Sequence, residues 1–150
     1  MLEALLHNDC KRYLMIAAVV MDDHVHALFK PRADIDVGII IGNWKSNATT
    51  RMKPLGRRQS CWQEEYYCRV VRDDAALRTF ARYIANNPIE RWPYLKNYPW
   101  VWVSDARVDA VVAGGGVEET WALEAGRGDS RVQPAGGRPP LGGWGNTGRA

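Results

Sequence analysis

The 150 residues amount to one domain's worth of chain, and 46% hydrophobic residues are enough to build a core. The balance of 20 basic against 17 acidic residues is mild, but the excess is local: Lys45, Arg51, Lys53, Arg57 and Arg58 lie between Asn43 and Arg58 with no acid among them. Three scattered thiols, Cys10, Cys61 and Cys68, argue against a disulfide framework. The longest apolar run, residues 15–21, is too short to span a bilayer and no leader opens the chain, so a cytoplasmic protein without a membrane partner is expected.

Residues 2–8 read as the end of a short helix, with Leu2, Leu5 and Leu6 at helical spacing. Residues 13–21 form a continuous apolar, partly β-branched run that predicts a buried strand, and Asp22-Asp23 supplies turn chemistry. The next strand, ending at Pro31, carries His24 and His26. Alternation along a strand puts both imidazoles on one face, with Val25, Ala27 and Phe29 on the other. That is the geometry of two imidazole ligands to one divalent metal, or else the polar face of a half-buried strand.

Asp34 and Asp36 are helix-start residues, and Val37, Ile40, Ile41, Trp44 and Ala48 then recur at helical spacing. The helix they predict turns Lys45 and Arg51 away from its apolar stripe, and Lys53, Arg57 and Arg58 follow it. Such a patch suits a polyanion, and equally a solvated helix face. Residues 62–72 carry Tyr66, Tyr67, Val70 and Val71 and predict a third strand. Asp73-Asp74 caps a further helix with Leu77, Phe80, Ala81 and Ile84 as its buried stripe, ending at Asn87-Pro88. Tyr83 lies at the edge of that stripe, looking into a cleft, with Asn87 one turn above it. The aromatic segment that follows, Trp92, Tyr94, Tyr98, Trp100 and Trp102, either stacks on bases or straps the core. From Ala113 onward come 11 of the 14 glycines, so residues 105–150 are expected to be a disordered tail and residues 1–104 the folded domain.

Taken together, Val20-Met21-Asp22-Asp23-His24-Val25-His26, Trp44-Lys45-Ser46, Trp62-Gln63 and Tyr83-Ile84-Ala85-Asn86-Asn87-Pro88 resemble the REP-associated branch of the HUH single-tyrosine transposases, over residues 1–102. The resemblance implies a ferredoxin-like α+β domain, an antiparallel sheet with its helices on one face. It also implies a divalent metal, Mg or Mn, a single-stranded or hairpin DNA partner, a homodimer and a place on the nucleoid. By the same resemblance His24, His26 and Asn87 match the metal ligands, and Tyr83 matches the nucleophile that forms a 5′-phosphotyrosine. Lys45, Arg51, Lys53, Arg57, Arg58 and Arg72 would then hold the DNA backbone, and Trp62 and Gln63 would contact bases or shape the site.

The chain departs from that pattern at its start, where the first strand, central in such a sheet, is absent. An unpaired sheet edge is expected to follow, and with it low stability or self-association. Two other functions fit the same residues: a relative that grips hairpin DNA without cutting it, and an unrelated hydrolase using the two histidines.

Overall fold

A computed structural model describes residues 1–56 and 62–126. Four helices, α1 (Leu2–Leu6), α2 (Val37–Met52), α3 (Asp74–Arg91) and α4 (Asp105–Ala113), surround five strands, β1 (Tyr13–Val20), β2 (His24–Pro31), β3 (Tyr67–Val70), β4 (Val101–Val103) and β5 (Trp121–Gly126). The strands form one sheet in the order β3-β5-β2-β1-β4, antiparallel at every pairing. The α+β class and the antiparallel sheet are those the sequence led us to expect.

The hairpin β1–β2 forms around Asp22-Asp23, in a register that pairs Val20 with Val25 and Tyr13 with Pro31. A bulge between Met15 and Ala17 interrupts the ladder. It places Ile16 and Ala17 in one core cluster and Met15 and Ala18 in the other.

The helices do not share one face of the sheet. On one side α1 and α2 pack Leu5, Ile40, Ile41 and Trp44 against Tyr13, Val25 and Phe29. On the other, α3 and α4 pack Leu77, Phe80, Ile84, Val108 and Val111 against Ile16, Val19 and Leu28. The reason lies in β1 itself: a strand apolar at both parities must be covered on both sides, and one helical layer cannot do that. On the first side the Trp44 indole N–H donates to the Tyr13 hydroxyl at 2.7 Å, which donates to the Leu5 carbonyl at 2.6 Å. This chain of two bonds lets a tryptophan and a tyrosine be buried without an orphaned polar atom.

The boundary expected after Ser104 is also corrected. Ser104 caps α4 through the Arg107 amide, and Arg107 reaches back to Asp9 at 2.7 Å and to the Met15 carbonyl at 2.7 Å. The glycines that suggested disorder begin with a turn: Gly115 takes a φ of 65°, which a residue without Cβ adopts freely. The chain then enters the sheet as β5, which pairs with both β2 and β3. The interior place that a missing first strand would have left open is therefore filled from the far end of the chain. Residues 127–150 and 57–61 lie outside the described residues, and with them the expectation of disorder beyond residue 126, Cys61, and the pair Arg57 and Arg58.

Two smaller differences affect the site. Helix α3 runs past Pro88 to Arg91, because only the N–H of residue 88 is forfeited and the Trp92 amide recovers the Pro88 carbonyl at 2.8 Å. The aromatic segment ends in β4, an edge strand on β1. Trp92 and Tyr98 stack at 5.4 Å against the core, while Tyr94 and Trp100 stay exposed, so the segment is a strap with two rings left outside.

Candidate active site

Alternation along β2 turns Val25, Ala27 and Phe29 toward α2 and leaves His24, His26 and Leu28 facing α3. The two imidazoles stand edge to face with centroids 4.6 Å apart. His24 Nδ1 meets the Asp23 carboxylate at 2.5 Å, which fixes the ring and leaves Nε2 as its free nitrogen. His26 is 2% exposed, and burial, with the neighbouring charge of His24, pushes its pKa down to about 3. It is therefore neutral at any ordinary pH, the state in which imidazole ligates metals.

Helix α3 starts where the Asp73 carboxylate accepts the Ala76 amide at 2.7 Å, and its buried stripe sets the rotation that brings Tyr83 to the histidines. The Tyr83 hydroxyl lies 3.5 Å from His26 Nε2, with ring centroids 5.1 Å apart. Asn87, buried one turn later, hydrogen-bonds the phenol and works to lower its pKa. Burial outweighs that bond, aided by the charges of Glu124 and Glu90, and pushes Tyr83 up to about 12. At its C-terminus α3 is tied to the β1–β2 turn by Arg91, 3.1 Å from Asp22, and the strap is tied there by the Tyr98 hydroxyl, 2.6 Å from the Val20 carbonyl.

Thus His24, His26, Tyr83 and Asn87 come together, as their spacing in the sequence suggested. The cations of α2 do not join them, since α2 lies on the opposite face of the sheet. Lys45 donates to the Gln63 carbonyl at 2.8 Å and lies over the Tyr66 ring, while Arg51 pairs with Glu3 at 2.7 Å. Both hold the protein together in this arrangement. Trp62 packs half-buried on the α2 side, and Lys53, Gln63 and Arg72 are exposed.

One residue of the site escaped the sequence reading. Glu124 of β5 is the direct cross-strand partner of His26, so its side chain projects from the same face. Burial raises its pKa, a rise that the charge of His24 opposes and that of Asp23 reinforces. The available signal was the run Trp121-Ala122-Leu123-Glu124-Ala125, short enough to be lost among glycines.

The burial of His26 gives a measurable pH dependence. Between the ordinary value of 6.5 and about 3 the unfolded chain binds a proton that the folded protein refuses, so stability falls as pH falls through that window. The metal-free protein should lose about 2 kcal/mol between pH 7 and pH 5 from this group. Urea unfolding at the two pH values measures it, and a His26→Gln variant should show a shallower loss. An equal loss in that variant would assign the effect to other groups.

Among the described residues no group of three His, Cys, Asp or Glu side chains is placed to hold a metal ion. No described helix is long and apolar enough to cross a membrane. Compared with known proteins, the chain gives no match among curated proteins or solved structures. It does match the family model described as transposase, IS200 like, over residues 2–87, more than half of its length. The matched segment contains both histidines and Tyr83, ends on Asn87 and stops short of β5. A chain with that match belongs to the IS200-like transposase family, whose members act on DNA as transposases.

Proposed function

We propose that this protein cleaves and rejoins single-stranded or hairpin DNA through a 5′-phosphotyrosine on Tyr83, as the REP-associated branch does. The observation that carries the reading is the contact of the Tyr83 hydroxyl with His26 Nε2 at 3.5 Å, with Asn87 bonded to the same phenol. Family membership supports DNA as substrate and transposition as the broader activity.

The donor set suits a divalent metal. His26 is neutral, His24 is oriented by Asp23, and an amide bonded to the phenol through its N–H keeps a carbonyl oxygen to spare. His24, His26 and Asn87 would hold Mg or Mn, and such an ion supplies Lewis-acid stabilisation of the non-bridging phosphate oxygens. The protein's own groups do the rest. Tyr83 attacks phosphorus, the bond to the 3′ oxygen breaks, and that oxygen leaves as a hydroxyl; attack by a 3′-hydroxyl on the phosphotyrosine reverses the step. Because the covalent bond conserves the phosphodiester energy, no nucleotide cofactor is needed. Asn87 positions the phenol and eases its deprotonation, which its environment otherwise resists.

That resistance favours a second reading, a protein that binds hairpin DNA and does not cut it: a phenol that burial, with the charges of Glu124 and Glu90, pushes up to about 12 is a poor nucleophile by itself. The test is incubation of the full chain with end-labelled hairpin and single-stranded oligonucleotides, with Mg, Mn or a chelator. A covalent protein–DNA species that requires metal and maps to Tyr83 supports the first reading. Retained binding with no adduct under any metal supports the second.

The backbone contacts belong to this proposal too, including those of Arg57 and Arg58. Changing both to Gln should weaken binding to all sequences several-fold. It should also flatten the salt dependence of affinity by about 0.7 in log–log slope per charge on single strands. Fluorescence anisotropy between 50 and 200 mM salt, on the order of the range over which such slopes are resolved, reads both. An unchanged slope would move the DNA track off this segment. Light scattering with and without DNA tests the accompanying expectation of a homodimer.

A further inference from the structure

Imidazole and amide ligands bring no negative charge, whereas hard divalent cations favour anionic oxygen. The Asp23 carboxylate is taken up by His24 Nδ1, and a further anionic oxygen comes to this face from outside the family-matched segment. β5 runs between β2 and β3, and its register sets Glu124 directly opposite His26. Its neighbours Ala122, Leu123 and Ala125 are buried and Glu124 is half-buried. Burying a carboxylate costs free energy unless a cation or donors compensate it. Among the described residues no salt bridge includes Glu124, and the groups acting on it electrostatically are His24 and Asp23.

We infer that Glu124 is the anionic member of the cation site, balancing the charge of the ion that His24, His26 and Asn87 hold. No three acidic, imidazole or thiol groups among the described residues are placed to enclose an ion, so Glu124 acts from one shell further out, through a water. The inference rests on the proposed cation site and adds a residue to it. It also gives β5 a role in the chemistry beyond completing the sheet.

The experiment titrates Mn2+ into the metal-free full chain and reads free Mn2+ by electron paramagnetic resonance, so that no DNA cleavage is involved. Wild type is compared with Glu124→Gln, Glu124→Asp and His24→Ala, and each is melted in chelator as a check on folding. Glu124→Gln should weaken Mn2+ binding about 10-fold or more, the range seen when outer-shell partners are removed, with its melt in chelator unchanged or raised. Glu124→Asp, which keeps the charge at a shorter reach, should fall between the two. Should Glu124→Gln unfold, the Asp variant carries the test, and wild-type affinity in it overturns the inference.

If Glu124→Gln binds like wild type while His24→Ala loses the ion, Glu124 is not part of the site and the proposed function stands. If His24→Ala also binds like wild type, the cation site itself is wrong and the inference falls with it.

Discussion

A chain ended after Ser104 should show no cooperative melt. Removing residues 105–150 deletes α4 and β5, and β5 is an interior strand whose departure strips hydrogen-bond partners from β2 and β3 together. β3 would be left with no strand neighbour among the described residues, since β5 is its one partner there. Val108, Val111, Val117 and Leu123 are each nine-tenths or more buried, and burying one such side chain is worth about 1.5–3 kcal/mol. Four of them approach the whole stability of a small domain, about 5–15 kcal/mol, before any backbone bond is counted. The Arg107–Asp9 pair, which ties α4 to the loop before β1, would go as well. Circular dichroism melts of the shortened and full chains decide the matter. A shortened chain that melts cooperatively within a few degrees of the full one would mean that β5 is an accessory strand.

Tyr83→Phe should leave no detectable covalent DNA adduct and reduce strand cleavage by about 10³-fold or more, the scale on which loss of a nucleophile is felt. The fold should barely notice, because Tyr83 is half-buried and loses one oxygen bonded to Asn87 and close to His26. Removing the hydroxyl leaves the buried Asn87 amide without that partner, so the melting temperature should hold or fall slightly. His24→Ala and His26→Ala should be as inactive in cleavage, with DNA affinity changed far less, since phosphate contacts elsewhere supply most of the binding. Gel assays for adduct and cleavage, with anisotropy for affinity, separate these outcomes. Normal cleavage by the phenylalanine variant would remove Tyr83 from the chemistry, and normal cleavage by either alanine variant would remove the metal assignment.

The grouping of Tyr83 with the histidines was legible because each side chain's direction is set locally. Period two puts His24 and His26 on one face, a capped helix with one apolar stripe sets the rotation of Tyr83, and i to i+4 spacing stacks Asn87 above it. The alternation of the sheet and the stripe of α3 then agree, so burying both brings the three positions together. Lys45 and Arg51 show the converse. Their place off the apolar stripe of α2 followed from the sequence, but which face of the sheet receives α2 depends on the sides its neighbours already occupy.

What the sequence determined by itself was therefore the local part: the hairpin, the two capped helices, the common face of His24 and His26, and the common flank of Tyr83 and Asn87. Only the tertiary structure decided that both faces of the sheet are covered, that α2 lies away from the site, and that the slot beside β2 is filled by β5. The physical reason is that strand pairing is non-local. Trp121 to Gly126 is a short, weakly patterned run among glycines with little preference of its own, and it becomes a strand because β2 and β3 present unpaired backbone on both sides of it. Glu124 reaches the histidines by the same route, through a register set by chain segments almost a hundred residues apart.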